Sequence, residues 1–327
     1  MNRDGFSIAY WYNDCVMPDL TLTFLGTGAG SPSRTRNVSS LGLQWVQRGR
    51  LWLFDCGEAT QHQVLRSPLR LSRLEHIYIT HLHGDHVFGL PGLLASRSLV
   101  KDIITPVTIF GPPGLEEWLW TTLRLTHTGI GYPLTVQTVT EGLIYEDEGR
   151  QVFCRRLAHR VESFGYAAVE KPRPGAFDAE KARALGVPAG PQFGRLKAGE
   201  TLILPDGQTV DGKSLIAPPR LGRKVVICGD TGPTPAVLEL ARGANVLVHE
   251  ATFLSEHADR AQESGHSTAA GAATVAREAG VETLILTHIS PRYESESRSR
   301  LPELLAEAKA IFPSTFLAED LWSFGVG

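Results

Sequence analysis

One short segment of the sequence concentrates side chains that bind metal ions: HLHGDH, residues 81–86, directly after the apolar run IYIT. Residues two apart point the same way in an extended chain, so His81 and His83 can bind one cation. Gly84 permits a sharp reversal that directs Asp85 and His86 toward a second cation. Imidazole and carboxylate ligands suit Zn²⁺ or a neighbouring ion such as Mn²⁺. The spacing therefore predicts a metal centre, and a histidine-rich surface loop is the alternative.

Two cations require further ligands, which the ends of other apolar runs supply. His159 follows QVFCRRLA, Asp230 follows KVVICG and His288 follows TLILT. In α/β folds, functional side chains gather where loops leave the ends of strands. These three residues are therefore candidate ligands alongside the HLHGDH segment.

The elements that must position these ligands follow an α/β pattern, in which short apolar runs alternate with segments of helical periodicity. The predicted strands are LTLTFLG (20–26), LGLQWV (41–46), LWLFD (51–55), HIYIT (76–80), VTIFG (107–111), LTVQTV (134–139), QVFCRRLA (151–158), KVVICGD (224–230), NVLVHE (245–250) and TLILTH (283–288). The predicted helices cover residues 59–66, 87–100, 114–126, 235–242, 267–279 and 301–311.

The composition is that of an ordinary globular protein, with 327 residues and a net charge of −3. No stretch approaches the roughly 18 apolar residues of a membrane span, and the net charge predicts no whole-chain attraction to DNA, RNA or anionic membrane. The four cysteines form no C-x-x-C pair, and the N-terminus lacks the pattern of a secretory signal. We therefore expect a soluble, cytoplasmic protein without a membrane or DNA partner, whose contacts with nucleic acid are local.

Two segments depart from the α/β pattern. Residues 1–19 show no clear period, and we predict an N-terminal extension, with Met17 as an alternative start of translation. A segment rich in Pro and Gly, about residues 168–222, is predicted to be an insertion outside the main core. Residues 166–224 hold ten Lys or Arg against six Asp or Glu, so the positive charge of this acidic chain is concentrated there. A solvated basic loop is the alternative.

The pattern H-x-H-x-D-H followed by distant His, Asp and His resembles the metallo-β-lactamase superfamily. The resemblance implies an αββα sandwich over residues 20–327, with the insertion as a flexible arm and two metal ions at one edge of the sheets. Carried over to this sequence, it implies two Zn²⁺ per subunit, with Mn²⁺ or another divalent ion possible. The first ion would be held by His81, His83 and His159, the second by Asp85, His86 and His288, with Asp230 bridging the two.

Smaller motifs indicate one branch of this superfamily: FLGTGAGSPSRTRNVSS (24–40), LFDCGEATQHQ (53–63), HLHGDHVFGLPGLLASR (81–97), HRVESFGY (159–166), GVPAGPQFGRLKAGE (186–200), GDT (230–232), HEATF (249–253), GHSTA (265–269) and THISPRY (287–293). In this order, they resemble the short form of ribonuclease Z, a family of tRNA 3′-processing endonucleases. Ala59 and Pro291 depart from the family's usual Gly and Ser, and neither is a predicted ligand. The resemblance implies a homodimer that removes the 3′ trailer of precursor tRNA after the discriminator nucleotide. The products would be a tRNA 3′-hydroxyl and a trailer 5′-phosphate.

Three residues are candidates for the chemistry of phosphodiester hydrolysis. The resemblance makes Asp85 the general base that accepts or orients a proton of the attacking water. His266 precedes a helix predicted to begin near Ser267, so its imidazole and the free N–H groups of that helix are expected to face a phosphate. Glu250 ends the run VLVHE and is a candidate for orienting His266, with a purely structural carboxylate as the alternative.

Substrate contacts are predicted for two groups of residues. Arg34, Arg36 and Asn37 in PSRTRN match a family loop beside the acceptor end of the RNA, where guanidinium groups can pair with phosphates. A solvated basic turn is the alternative. The arm is expected to hold the tRNA elbow by phosphate contacts, through Lys171, Arg173, Lys181, Arg183, Arg195 and Lys197.

Two other functions stay open at the level of sequence. The first is another dinuclear-zinc hydrolase of the same fold, acting on small phosphodiesters or esters; the basic arm argues against it, because small substrates need no remote contact. The second is an RNA-binding module without catalysis. The complete set of predicted ligands argues against that alternative, since a degenerate copy would be expected to have lost at least one.

Overall fold

The structure of the protein is a computed structural model that describes residues 18–100, 104–172, 174–294 and 299–327. The predictions for residues 1–17, including Met17, and for Arg173 lie outside the described residues. Two seven-stranded sheets pack face to face. Side chains from both sheets, such as Phe24 and Trp52 from one and Val225 and Ile285 from the other, share one core cluster.

The first sheet comes mainly from the N-terminal half of the chain. Its strands are, in spatial order, β16 (Ser323–Val326), β1 (Leu20–Gly26), β2 (Ser40–Trp45), β3 (Arg50–Phe54), β4 (Leu74–Tyr78), β5 (Val107–Gly111) and β6 (Leu134–Thr138). Neighbouring strands from β16 to β3 are antiparallel, and those from β3 to β6 are parallel.

The second sheet repeats this organisation with the C-terminal half. Its strands are, in spatial order, β15 (Thr315–Leu317), β14 (Thr283–Thr287), β13 (Val246–Glu250), β12 (Lys224–Cys228), β9 (Ser163–Glu170), β8 (Arg150–Leu157) and β7 (Gly142–Glu146). Strands β12 to β15 are parallel, so their carboxyl ends lie at one edge of the sheet.

A layer of helices covers the outer face of each sheet, which gives the αββα order that the resemblance implied. Beside the first sheet lie α1 (Thr60–Leu65), α2 (Gly84–Val87), α3 (Leu90–Ser98) and α4 (Leu115–Leu125). Beside the second lie α7 (Pro235–Ala241), α8 (Ala258–Ser264), α9 (Ala269–Ala279) and α10 (Leu301–Ile311). None of the helices in the described part of the chain combines the length and the apolar character needed to cross a bilayer.

Helix α9 shows how the sequence selects this layered packing. Ala269, Ala272, Ala273 and Ala276 are fully buried at the i, i+3, i+4, i+7 spacing of one helical face. Their small side chains let the helix approach the sheet closely, and Gly280 ends the helix in the left-handed conformation expected of a C-cap glycine.

The predicted helix over residues 87–100 is interrupted near its start, because Val87 ends α2 and α3 begins at Leu90. The chain turns at Gly89, whose N–H donates to the Cys56 carbonyl (3.0 Å). A Cβ at this position would lie 1.9 Å from the Gly57 carbonyl oxygen, so the close approach requires glycine. The break fixes the short α2 against the loop after β3, next to the predicted ligands.

The basic insertion forms a small unit with its own apolar cluster. It contains α5 (Ala179–Ala184), α6 (Pro191–Lys197), β10 (Thr201–Ile203) and β11 (Thr209–Asp211). Strands β10 and β11 pair only with each other. Ala182, Val187, Phe193, Leu196 and Leu215 are among the buried residues of this cluster. The unit therefore has a hydrophobic core that the sequence pattern, poor in long apolar runs, did not predict.

Candidate metal centre

The HLHGDH segment lies where the parallel strands of the first sheet end. His81 follows β4, and α2 begins at Gly84. Gly84 is the first residue of this helix, and a Cβ there would displace the exposed ring of Phe88. Strands β12 and β14 end at the same edge, where Asp230 and His288 follow them. The topology therefore brings together residues from both halves of the chain.

The first group of ligand atoms comes from His81, His83, His159 and Asp230, which lie within 4.8 Å of one another. His81 Nε2 is 3.0 Å from His83 Nδ1, and His159 Nε2 is 3.4 Å from the same atom. His81 is fully buried. These residues are the predicted set for the first cation.

The second group consists of Asp85, His86 and His288. His288 Nε2 lies 3.4 Å from His86 Nε2 and 3.3 Å from Asp85 Oδ2. His288 adopts the left-handed conformation at φ 55°, which is unfavourable for a residue with a Cβ. Such strain persists where surrounding contacts impose it, as is common at functional sites.

Asp230 lies between the two groups. Its Oδ2 is 3.6 Å from His81 Nε2, while its Oδ1 is 3.4 Å from His86 Nε2 and 3.3 Å from His288 Nε2. Each oxygen therefore faces a different group, as a bridging carboxylate requires. Burial would raise the pKa of Asp230, but the surrounding histidines hold it well below the usual value.

The histidines of the first group are held neutral. Burial lowers the pKa of His81 to about 2, helped by the charge of His86, and burial also lowers the pKa of His83 and His159. His86 differs: burial would lower its pKa, but the carboxylates of Asp230 and Asp55 raise it well above the usual value. Neutral imidazoles are the form that binds metal ions, so the first group is ready to accept one.

Asp55 and Thr80 fix the orientation of two predicted ligands, and sequence reasoning missed both. Asp55 Oδ2 accepts a hydrogen bond from His86 Nδ1 (2.7 Å) and another from the Thr80 hydroxyl (2.9 Å). Thr80 Oγ1 is in turn 3.0 Å from His81 Nδ1. Such partners set the ring orientation of ligating histidines. Asp55 stands in the motif LFDCGEATQHQ and adopts φ 58°, so the strand-end carboxylate was the available signal.

Equivalent partners hold His159 and His288. The carbonyl oxygen of Gly265 accepts from His159 Nδ1 at 2.7 Å. Thr252 Oγ1 lies 3.0 Å from His288 Nδ1 and donates to Glu250 Oε2 at 2.6 Å. Each ring therefore keeps its Nε2 for the centre.

His266 and Glu250 form a buried pair beside the second group. Glu250, 1% exposed, accepts from His266 Nδ1 at 2.8 Å. Burial would lower the pKa of His266, but the hydrogen bond and charge of Glu250 raise it. Burial would raise the pKa of Glu250, but His266 lowers it. The contact expected between these residues is thus present, while their catalytic roles stay predictions.

The expected position of His266 at a helix start is wrong. Helix α9 begins at Ala269, with Thr268 as its N-cap. The N–H of Ser267 is not free for a phosphate, because it donates to Glu250 Oε2 (3.1 Å). The imidazole of His266 therefore lies at this site without the helix N-terminus that the sequence predicted beside it.

The PSRTRN residues have unequal environments. Arg36 is only 4% exposed, and its guanidinium donates to Glu294 Oε1 (2.8 Å) and to the Ala318 carbonyl (2.6 Å). The prediction that Arg36 contacts RNA is corrected by this burial: the residue anchors its own loop. Arg34 is exposed. Asn37 donates from Nδ2 to the Glu58 carbonyl (2.8 Å) and is half-buried.

The predicted contact residues of the arm lie at or near its surface. Lys171 pairs with Glu146 at 2.6 Å, and Arg195 pairs with Glu200 at 2.7 Å. Lys181 Nζ donates to the Ser214 carbonyl at 3.4 Å. Arg183 and Lys197 lie against the rings of Phe193 and Phe177. Exposed pairs of this kind contribute little to stability and can exchange for phosphate contacts.

Family profiles match two parts of the chain. One, described as anti-Pycsar protein Apyc1, matches residues 20–140, and one described as a beta-lactamase superfamily domain matches residues 214–289. The crystal structure of the metallo-beta-lactamase fold protein YhfI from Bacillus subtilis is similar with a TM-score of 0.64 at 16% identity, covering 94% of this chain and 99% of that one. These matches establish the metallo-β-lactamase fold.

Relatives of higher identity define the family. The chain is 54% identical over 308 residues to a ribonuclease Z from Brevibacillus brevis, covering 94% of this chain and 97% of the relative. The chain belongs to the ribonuclease Z family. Its structure is also similar to the crystal structure of human tRNase Z, short form, with a TM-score of 0.67 and 31% identity over 94% of this chain and 99% of that one. These relatives therefore confirm the family that the sequence motifs resembled.

Proposed function

We propose that this chain is a metal-dependent endoribonuclease that removes the 3′ trailer of precursor tRNA. It cuts after the discriminator nucleotide and leaves a 3′-hydroxyl on the tRNA and a 5′-phosphate on the trailer. One observation carries the proposal: in a chain of the ribonuclease Z family, two ligand groups share Asp230 beside the His266–Glu250 pair.

The donor set fits two divalent cations. It contains five imidazoles and two carboxylates, which are ligands that Zn²⁺ prefers. We assign two Zn²⁺ to it, with Mn²⁺ or another divalent ion as the alternative. When bound, such ions activate water at neutral pH and offset negative charge on the phosphate. The first ion is assigned to His81, His83 and His159, the second to Asp85, His86 and His288, and the bridge to Asp230.

Asp85 is the candidate general base because its carboxylate lies among the predicted ligands. Burial would raise its pKa, but hydrogen bonds with His288 and His86 hold the pKa below the usual value, so the carboxylate is ionised at neutral pH. An ionised carboxylate at the centre can accept a proton from the attacking water or orient it. We therefore assign this step to Asp85.

His266 is assigned to the leaving oxygen of the tRNA. Its Nδ1 is taken by Glu250, so Nε2 is the atom left to face the substrate. The raised pKa favours the protonated ring, which can stabilise the phosphate or protonate the departing oxygen. Glu250 acts as the positioning residue of this pair.

We assign the contacts that hold tRNA to Arg34, Asn37 and the arm cations, whose phosphate contacts carry no sequence information. Replacing residues 176–217 by a short Gly-Ser linker removes the arm's own cluster as a unit. We expect a higher KM for precursor tRNA, with unchanged turnover of bis(p-nitrophenyl) phosphate. Equal loss on both substrates would contradict a separate contact site for tRNA.

We further propose that the chain is a homodimer in which the arm of one subunit serves the partner's metal centre. Several exposed apolar side chains on the helical layer of the first sheet are available to pack against a second subunit. They include Leu65, Phe88, Leu99, Trp120 and Leu125, with exposures from 40% to 88%. Sedimentation of the wild type and of Leu99→Asp tests this: the wild type is expected at dimer mass and the variant at monomer mass.

The principal experiment maps the cut. Precursor tRNA with a 3′ trailer is incubated with the protein, with EDTA, and with EDTA followed by excess Zn²⁺. We expect cleavage after the discriminator nucleotide with the protein alone and after Zn²⁺ is restored, and no cleavage with EDTA. Hydrolysis of bis(p-nitrophenyl) phosphate without cleavage of precursor tRNA would favour a small-phosphodiester hydrolase instead.

A further inference from the structure

The loop of residues 27–37, here named the Gly30 loop, reaches the proposed general base. The backbone N–H of Gly30 donates a hydrogen bond to Asp85 Oδ2 at 2.8 Å. The same oxygen lies 3.3 Å from His288 Nε2. The Gly30 loop therefore helps to set where the Asp85 carboxylate points.

Glu294 holds the Gly30 loop by three side-chain contacts. Its Oε2 accepts from Ser33 Oγ at 2.6 Å, and its Oε1 accepts from Thr35 Oγ1 and Arg36 Nε, both at 2.8 Å. The side chain of Glu294 is 12% exposed. Charge-assisted hydrogen bonds of this kind are about twice as strong as neutral ones.

Arg36 transmits this restraint to the start of the loop. Its Nη1 donates to Thr27 Oγ1 at 2.7 Å and to the Ala318 carbonyl at 2.6 Å. The Ile289 N–H donates to the Thr27 carbonyl (2.8 Å), and the Ala29 N–H donates back to the Ile289 carbonyl (3.1 Å). The loop is therefore joined to the chain that directly follows the predicted ligand His288.

The conformation of Gly30 itself depends on this restraint. Gly30 adopts φ +71°, with no heavy atom within 4 Å of a Cβ built there. A glycine on its own samples many conformations. The left-handed conformation that presents the Gly30 N–H to Asp85 is therefore set by that hydrogen bond together with the anchored residues on either side.

We propose that Glu294 is a positioning residue for Asp85, acting through Arg36 and the Gly30 N–H. This inference rests on the proposed function for the role of Asp85. It assigns to the PSRTRN loop a task in catalysis, in addition to any contact with RNA. A loop that only contacts RNA would affect substrate binding alone, so the two roles separate by measurement.

The test compares Glu294→Ala and Glu294→Gln with the wild type on two substrates. Under the proposed function, precursor tRNA is large enough to contact the loop, whereas bis(p-nitrophenyl) phosphate is too small to contact it and depends on the loop only through Asp85. A misplaced catalytic group costs up to about 10²-fold in rate. We expect Glu294→Ala to lower kcat about 10-fold to 10²-fold on both substrates, and Glu294→Gln, which keeps an acceptor oxygen, to recover most of this loss.

The matched control is Glu282→Ala. Glu282 also connects two loops, since its Oε2 accepts from Asn245 Nδ2 at 3.0 Å, but it lies where β13 and β14 begin, away from Asp85. We expect its kcat on both substrates to equal that of the wild type. A loss as large as that of Glu294→Ala would show that removing any loop carboxylate slows the reaction, and would overturn the inference.

Two measurements without turnover complete the test. In the metal-free protein, hydrogen exchange of the Gly30 amide is expected to be faster in Glu294→Ala than in the wild type. In calorimetric titrations with Zn²⁺, the variant is expected to bind the second ion more weakly. Unchanged amide exchange, or an increase confined to the KM for precursor tRNA, would overturn the inference. Failure of the wild type to cleave precursor tRNA would instead refute the proposed function.

Discussion

Charged and titratable side chains are paired in different ways at the two edges of the sandwich. At the far edge, where β8 and β12 begin, carboxylates and guanidinium groups form ion pairs: Asp147 accepts from Arg150 Nε at 3.0 Å, and Glu170 accepts from Arg223 Nε at 2.6 Å. At the metal edge, where β4, β12 and β14 end, histidines outnumber carboxylates, and the ligand atoms of each group lie within 4.8 Å of one another. The far edge is neutralised by its own side chains, whereas the metal edge is arranged for an added cation.

The fully buried His81 and the half-buried His76 illustrate the same difference. Burial lowers the pKa of His81 to about 2 and that of His76 to about 4. His81 has Thr80 on one nitrogen and His83 facing the other. His76 packs among the rings of Trp52 and Tyr145, and its Nδ1 has no partner. A low pKa alone therefore does not identify a ligand; convergence with other donors does.

The largest predicted effect is a loss of activity when the metal edge is altered, with no such loss when the far edge is altered. Asp85→Ala removes the proposed base and a proposed ligand, so kcat on precursor tRNA is expected to fall by about 10³-fold or more. Asp147→Ala breaks the far-edge pair and is expected to lower stability while leaving kcat unchanged. Initial rates for the two purified variants check this. Near-normal turnover by Asp85→Ala would refute its role.

The second prediction concerns stability and added metal. A ligand that binds only the folded state stabilises it by about 4 kcal/mol per site at a concentration of 1,000 Kd. Zn²⁺ added after chelation is therefore expected to raise the free energy of unfolding of the wild type by this amount per site. Asp230→Asn, which weakens the shared carboxylate, is expected to lose much of the gain. Denaturant unfolding with and without Zn²⁺ measures both, and equal gains in the two proteins would contradict a shared Asp230.

The sequence predicted the elements that carry the ligands, because their apolar runs are continuous and end in His or Asp. It missed β7, β9, β10, β11, β15 and β16. Strand β7 is largely accessible and lacks a clear alternating pattern, whereas β9 is almost fully buried but contains Gly165 and leads into the Pro-rich insertion. Strands β10, β11, β15 and β16 have only three or four residues, too few to show a period. Element type was therefore readable where a continuous apolar run is long enough, and burial alone was not sufficient.

Side-chain roles were readable only where the partners are close in sequence. Asp55 meets Thr80 across 25 residues and Arg36 meets Glu294 across 258, so local spacing held no sign of either contact. Arg36 consequently resembled an exposed basic turn although it is buried. The start of α9 was misjudged for the same reason, since Glu250 takes the N–H of Ser267.

The third prediction uses pH to measure how much stability the protein loses in acid because His76, at the far edge, stays neutral in the folded state. Its pKa of about 4 in the folded state lies below the usual 6.5, so the unfolded chain binds the proton first. The wild type therefore loses stability as the pH falls from 6.5 to 4, by about 3 kcal/mol in total. His76→Phe removes this loss, because phenylalanine does not titrate.

Urea unfolding at pH 7, 5.5 and 4.5 with chelator present measures this difference, and groups common to both proteins cancel. The stability of the variant relative to the wild type is expected to increase as the pH falls. A constant difference across the three pH values would mean that His76 does not remain neutral in the folded protein.

The smallest effect is expected where a far-edge pair reaches the solvent. Arg50 Nη1 lies 3.4 Å from Glu75 and 3.8 Å from Asp147, and the Arg50 side chain is 41% exposed. Exposed pairs contribute about 1 kcal/mol or less because water and salt screen them. Arg50→Gln is therefore expected to change the free energy of unfolding by no more than this amount, and to leave kcat unaltered. Urea unfolding at low and high salt checks it, and a larger, salt-independent loss would mean that the far edge depends on its surface pairs as much as on the buried ones.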